Sequence, residues 1–224
     1  MIDLSPAFVM AVWTAGIATG AATVAYWRIV GPGYVWLAAG TVAGFGIFAA
    51  IVDAGPLSWI GVFAAILAIA TARRAMWAAG ALGGAAVAFL AVGFDASPWF
   101  SVVSGSVLIG GITSEMLLGH WYLVDPKLPR WALFALVGAG GMGLVADSAV
   151  IGFRIATDGL QADSAFGWAY VALVLMTALL LVGVWFSLKE PRYTGVMAAT
   201  GLSYLAVLTG LGVLVIGRIV GFET

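Results

Sequence analysis

Two carboxyl side chains lie inside apolar stretches long enough to cross a membrane, and they are the residues best placed to do chemistry. They are Glu115 and Asp147. A carboxylate at that depth costs roughly 2.5–3.5 kcal/mol on insertion scales, so such a residue is expected to have a partner or a function. His120, the single histidine, follows Glu115 by five residues in SEMLLGHWYLVDP. A carboxyl group, an imidazole and the adjoining Trp121 and Tyr122 predict an inner-side site for a proton or a small ligand.

Each of these residues also has a structural interpretation. Glu115 fits a hydrogen-bonded contact between helices, Asp147 fits a residue near the outer interface, and His120 fits an interfacial belt with Trp121 and Tyr122. The functional alternative for His120 is a hydrogen bond to a ligand such as a quinone carbonyl. Glu115 should lie about 7–8 Å deeper than His120, and roughly 140° separates them around the helix. Asp147 belongs to another helix at another height, so no Glu115–Asp147 dyad is expected.

The residues that flank Glu115 predict how its helix packs. Gly111 and Gly119 stand four residues before and after it. Small residues on one face let helices approach closely. Glu115 is therefore expected to face a neighbouring helix or a cavity, away from lipid.

The composition sets the class of protein. The 224 residues are 63% hydrophobic and only 8% charged, with a mean hydropathy of +1.13. Soluble domains carry about 25% charged residues, so the chain is predicted to be an integral membrane protein. The absence of cysteine excludes disulfides and iron–sulfur ligation, and the single histidine argues against bis-histidine haem. No covalently bound cofactor, no metal site and no nucleic-acid partner are expected, whereas quinone is allowed.

Short polar breaks divide the apolar sequence into segments. They predict one polytopic domain over 1–224, an all-α bundle of eight transmembrane helices. The spans are of roughly 17–25 residues and are separated by turns rich in Gly, Pro or charge, such as GPG, DAGP, DASP and KEPR. They run over 7–29, 34–52, 57–72, 75–94, 99–123, 131–153, 165–187 and 193–219. Only Arg73–Arg74 divides the third span from the fourth.

The charges orient this bundle. Alternate loops collect seven basic residues on one side, against Arg154 and Arg218 on the other, which also holds most of the acidic residues. The basic residues are Arg28, Arg73, Arg74, Lys127, Arg130, Lys189 and Arg192, and the acidic ones are Asp3, Asp53, Asp95, Asp158, Asp163 and Glu223. The positive-inside rule then places both termini outside, in what we expect to be a bacterial or archaeal cytoplasmic membrane.

An internal echo divides the chain into two halves, 1–98 and 99–224. WRIVGP at 27–32 matches WYLVDP at 121–126 at an offset of 94, and Asp53 falls opposite Asp147 at the same offset. Because four helices is an even number, such halves would be parallel repeats about an axis along the membrane normal. Three GxxxG pairs, Gly16/Gly20, Gly40/Gly44 and Gly80/Gly84, are read as packing features.

Two functional classes remain. The first is a membrane subunit of a redox or energy-converting complex that anchors partner subunits and contributes a quinone or proton site; such a chain is no enzyme by itself. The second is a small proton- or ion-coupled transporter or channel that uses Glu115. The eight-helix layout with both termini outside is similar to that of the quinol-oxidising membrane subunits of polysulfide- and dimethylsulfoxide-reductase-type complexes. This is a similarity of architecture that no shared motif carries.

Overall fold

The fold is a bundle of eight α-helices. The computed structural model describes residues 6–53, 55–158 and 165–222. The helices are α1 (Pro6–Trp27), α2 (Pro32–Asp53), α3 (Pro56–Ala70), α4 (Ala75–Ala96), α5 (Trp99–Tyr122), α6 (Arg130–Asp158), α7 (Ala165–Lys189) and α8 (Tyr193–Phe222). Seven are long and apolar enough to cross a membrane, and α3 is shorter. The all-helical class and the eight predicted segments are confirmed, although α3 ends two residues earlier than its predicted span.

Prolines fix where several helices begin. Pro6, Pro32 and Pro56 are the first residues of α1, α2 and α3, and Pro98 directly precedes α5. Proline suits the first helical position because its φ is already helical and its missing N–H would have no partner there. The sequence punctuation therefore locates these turns almost to the residue.

The helices pack as two rings of four. In the first ring α1 contacts α2 and α4, and α3 closes the ring by contacting the same two helices. The second ring has the same connectivity, with α5 and α7 each packed against α6 and α8. The rings meet chiefly through α1 and α5, so α5 is the most buried of the long helices.

The crossing of α1 and α5 is unusually close. A Cβ on Gly16 would lie 2.7 Å from Gly110 Cα, so the two backbones touch. One turn away, Ser106 Oγ donates a hydrogen bond to the Val12 carbonyl oxygen at 3.1 Å. Both pairs are 94 residues apart, which is the offset of the internal echo.

The three predicted GxxxG pairs behave differently. Gly16 and Gly20 both pack against α5, as expected. A Cβ added at Gly40, Gly44 or Gly80 would meet nothing within 4 Å. The packing interpretation is therefore wrong for the α2 pair and for Gly80 within this chain, because a small-residue spacing does not say which face a helix buries.

The ends of the helices show that four turns lie at one end of the bundle. Trp27 at the end of α1 packs on Trp131 at the start of α6, with ring centroids 4.8 Å apart. Trp36 near the start of α2 donates its indole N–H to the carbonyl oxygen of Ile69, at the end of α3, at 3.2 Å. Tyr122 at the end of α5 faces Tyr193 at the start of α8, at 6.3 Å. This end carries Arg28, Arg73, Arg74, Lys127, Arg130, Lys189 and Arg192.

The charges assigned to the opposite end need a correction. Arg154, which follows the predicted span 131–153, is not a loop residue, since it lies within α6. Arg218 lies within α8, as its predicted span implies, but its side chain is buried inside the bundle. Asp95 is exposed beside the α4–α5 turn, as predicted. Asp3, Asp163 and Glu223, and the side chains of Asp53 and Asp158, lie outside the described part of the chain.

Candidate functional site

Glu115 lies in the interior of the second ring, on the face of α5 that packs against α8. Only 1% of its surface is exposed. Its Oε2 accepts a hydrogen bond from Ser203 Oγ of α8, while Oε1 has no hydrogen-bond partner among the described residues. Gly119 and Thr200 pack against each other one turn away. Of the two glycines that flank Glu115, Gly119 lets α8 approach the carboxyl group, whereas Gly111 packs against Gly140 of α6.

His120 and Tyr204 form a second contact between the same two helices. The Tyr204 hydroxyl is 3.4 Å from His120 Nδ1. Both side chains are exposed on the outside of the bundle, Tyr204 by 47%. Since Ser203 and Tyr204 are consecutive, α8 presents one hydroxyl inward to Glu115 and the next outward to His120.

The other two members of the predicted inner-side site point elsewhere. Trp121 packs over Gly33 and Tyr34 of α2, in the first ring, with 6.5 Å between the Trp121 and Tyr34 rings. Tyr122 is buried against Tyr193. The structure therefore brings Glu115 and His120 to one helix pair and directs Trp121 and Tyr122 to packing contacts.

Asp147 forms a closed ion pair with Arg218 inside the second ring. Arg218 Nη1 is 2.6 Å from Asp147 Oδ2, and its Nη2 donates to Oδ1 at 2.7 Å. Ser104 Oγ donates to the same Oδ1 at 2.7 Å, and Nη2 also donates to the Ser101 carbonyl oxygen at 2.6 Å. Both charged side chains are completely buried. A bidentate pair with further hydrogen bonds is the geometry in which a buried arginine and a carboxylate compensate each other.

Arg218 was not predicted as a buried charge, because it lies one residue before the end of the predicted span 193–219 and was counted with the charges of the outer side. A signal was present, since apolar residues continue beyond it in GRIVGF. The helix was therefore able to extend past the arginine and keep it inside the bundle. The pairing of Arg218 with Asp147, 71 residues earlier in α6, is visible only in the tertiary structure.

The two buried polar sites are separate. Ser104, which binds Asp147, and Glu115 are eleven positions apart on α5, which corresponds to about 16 Å of helix. Leu108, Ile109 and Ile112 fill this interval and are almost fully buried. The expectation that Glu115 and Asp147 do not form a dyad agrees with this arrangement.

The chemistry open to the two sites differs. The Asp147 carboxylate is neutralised and hydrogen-bonded, so it has little capacity left for a ligand. Glu115 has one free carboxyl oxygen and no described cationic partner. A carboxyl group buried in that way can hold a proton or receive a cation. In the part of the chain that the structure describes, no group of three or more His, Cys, Asp and Glu residues could hold a metal ion.

A cavity of about 330 Å³ lies between the two rings. It is mostly apolar and is lined by residues of α1, α4, α5 and α6, including Thr19, Thr23, Leu90, Val107 and Leu136. Glu115 does not line it.

The chain matches no protein-family model, no curated protein and no solved structure with which it was compared.

Proposed function

We propose that the chain is a membrane subunit of a redox or energy-converting complex, in which Glu115 exchanges a proton with a quinone bound at the exposed His120–Tyr204 pair of α5 and α8. One observation carries the proposal. A buried carboxyl group with a free oxygen lies behind an exposed His120–Tyr204 pair, on the same two helices.

The His120–Tyr204 pair is accessible to a lipid-soluble ligand. His120 and Tyr204 face outward, so a quinone head group could reach them directly from the bilayer. The tyrosine hydroxyl and the imidazole can donate hydrogen bonds to a quinone carbonyl, or accept them from a quinol hydroxyl. Glu115 lies about 7–8 Å further along α5. In this mechanism one quinol hydroxyl loses its proton to Glu115, by way of Ser203, and the other loses its proton to the His120 imidazole. The two electrons pass to a redox cofactor held by a partner subunit.

The same proposal includes the topology. The basic end of the bundle is the inner side, because seven positive charges gather there. Both termini then lie outside, as the sequence predicts.

We also propose that the rings are parallel repeats related by an axis along the membrane normal. The matching ring connectivity and the Val12–Ser106 and Gly16–Gly110 contacts at the repeat offset support this. An axis of this kind brings equivalent residues of α1 and α5 face to face.

The test uses the assembled protein. The chain is purified from its native membrane in mild detergent, and co-purifying proteins and quinones are identified by mass spectrometry. We expect stoichiometric partners that carry redox cofactors, with quinone present. In that complex Glu115→Gln should lower quinol turnover about a hundredfold or more, since proton transfer by a positioned side chain contributes at least that much.

Glu190→Gln is the matched control, because Glu190 is an exposed glutamate in the α7–α8 turn. It should leave turnover unchanged. Unchanged turnover in Glu115→Gln would assign Glu115 to helix packing and overturn the proposal.

A small proton- or ion-coupled transporter is the second candidate. The cavity between the two rings favours it, since transporters with internal repeats bind their substrates at the repeat interface. The discriminating measurement is proton flux into liposomes that contain the purified chain alone, followed with an internal pH dye. Flux that Glu115→Gln abolishes would establish the transporter in place of the redox subunit.

A further inference from the structure

An open cavity of about 620 Å³ lies where α3 turns into α4, at the basic end of the bundle. Its lining includes Leu67, Thr71, Arg74, Met76, Trp77 and Gly80. The volume falls within the about 300–1,000 Å³ typical of ligand sites. The lining is apolar apart from Thr71 and Arg74, so the cavity has a positively charged entrance and an apolar interior.

The entrance carries uncompensated positive charge. Arg74 lines the cavity and Arg73 precedes it in the same turn. Both side chains are exposed, and no acidic partner of either is found among the described residues. The first turn of α4 adds backbone N–H groups, since Arg74 at its N-cap makes no side-chain capping bond. These groups and the positive end of the helix dipole favour an anion beside the arginines.

The surroundings place this entrance near the level of lipid head groups. Ala25, Val35, Ala72 and Ala78 form a small buried cluster that joins the ends of α1 and α3 to the starts of α2 and α4. The cavity therefore lies at the end of the helices. Trp77 is 68% exposed there, which suits an interfacial tryptophan.

We infer that this cavity binds an anionic phospholipid, with the head-group phosphate at Arg73 and Arg74 and part of an acyl chain along Met76, Trp77 and Gly80. Charge complementarity selects the head group, and the apolar lining accepts the chain. Basic pockets between helices at the inner surface bind such head groups in the same way. The inference is independent of Glu115 and of the proposed redox role.

The experiment is a lipid titration of the purified full-length chain in detergent micelles, read by native mass spectrometry. The probes are phosphatidylglycerol and phosphatidylcholine, which differ in net charge. We expect one phosphatidylglycerol to be retained about tenfold more tightly than phosphatidylcholine, because each arginine near a head group adds attraction. Equal retention of the two lipids would overturn the inference.

Two variants separate the head-group site from the acyl-chain site. Arg73→Gln with Arg74→Gln should abolish the preference for phosphatidylglycerol. Lys127→Gln with Arg192→Gln is its control, because it removes two exposed charges from the same end and should keep the preference. A preference that both double variants keep, or that both lose, would contradict a specific site.

Gly80→Leu tests the cavity without changing charge. Gly80 lines the cavity and a Cβ there meets nothing within 4 Å, so we expect a leucine side chain to extend into the cavity. We expect retention of phosphatidylglycerol to fall at least tenfold, with unchanged helical circular dichroism. Gly40→Leu, at another open glycine, should bind lipid normally. Normal lipid binding by Gly80→Leu would overturn the assignment of the acyl chain to this cavity.

Discussion

The two rings share a connectivity of helices but differ in what they bury. In α1–α4 the charged residues with described side chains, Arg28, Arg73, Arg74 and Asp95, are all exposed. The second ring, α5–α8, buries Glu115, Asp147 and Arg218. The same arrangement of four helices can therefore enclose either a mainly apolar core or a core that contains acidic and basic side chains. The cost of buried charge is met by specific partners, because Asp147 has a counterion and Glu115 has a serine.

The strongest test of this difference removes one partner of the buried ion pair. Arg218→Leu leaves Asp147 buried without its counterion, so we expect a loss of about 3–5 kcal/mol in the free energy of unfolding. The measurement is equilibrium unfolding in detergent micelles, followed by circular dichroism. Asp147→Leu combined with Arg218→Leu makes the second core resemble the first and should recover most of that loss. Arg73→Leu is the exposed control, expected within about 0.5 kcal/mol of the parent protein. A single variant at Arg218 as stable as the parent would show that the pair contributes nothing.

The next largest effect is expected where the rings meet. Gly110→Ala places a Cβ against the Gly16 backbone, which cannot move aside as a flexible side chain would. Overpacking of this kind costs about 1–3 kcal/mol. Gly44→Ala introduces the same methyl group where nothing lies within 4 Å, so its thermal midpoint should stay near that of the parent. Equal midpoints for the two variants would mean that the rings do not depend on this close crossing.

An effect of similar size is expected at the hydroxyl groups of the two cores. Ser203→Ala removes the described hydrogen bond of Glu115, and we expect a loss of about 1–3 kcal/mol because a buried polar group is left unsatisfied. Thr41 in α2 bonds only to the carbonyl oxygen of Leu37 in its own helix, so Thr41→Val should cost less. Chemical unfolding of both variants measures the difference. If Thr41→Val lost more unfolding free energy than Ser203→Ala, the Ser203 hydrogen bond to Glu115 would not be an important stabilising contact.

The smallest effect concerns how the first helix of each ring, α1 and α5, ends. Arg28 follows α1 with φ of 56°, in the left-handed region, whereas Leu123 follows α5 with φ of −67°. The left-handed conformation costs a non-glycine residue about 1–2 kcal/mol, and the greater freedom of unfolded glycine offsets about 0.5–1 kcal/mol of any relief. Arg28→Gly should therefore stabilise the protein by about 0.5 kcal/mol. Arg28→Ala removes the same charge and keeps the strain, so in paired thermal melts it should show no gain. Leu123→Gly should be destabilising, and a stabilisation there would contradict the comparison.

Much of the fold followed from composition and punctuation. The prolines marked the starts of α1, α2, α3 and α5, and the Arg73–Arg74 turn divides α3 from α4 as predicted. The burial of Glu115 beside glycines also followed, since a carboxyl group flanked by small residues has a preferred face. The candidate site was only partly predictable. Trp121 and Tyr122 were grouped with His120 because they are adjacent in sequence, yet adjacent helical residues point in different directions.

Long apolar helices, a gathering of most positive charges at one end, and different heights for Glu115 and Asp147 were all predictable from the sequence. These are local properties of hydropathy, length and rise per residue. Which helices meet became clear from the three-dimensional packing, and with it the Asp147–Arg218 pair, the Ser203 partner of Glu115 and the His120–Tyr204 contact. The physical reason is that an almost wholly apolar helix has no single hydrophobic face. Its orientation is set by the close fit of small residues and by the few buried polar groups that must find one another across the bundle.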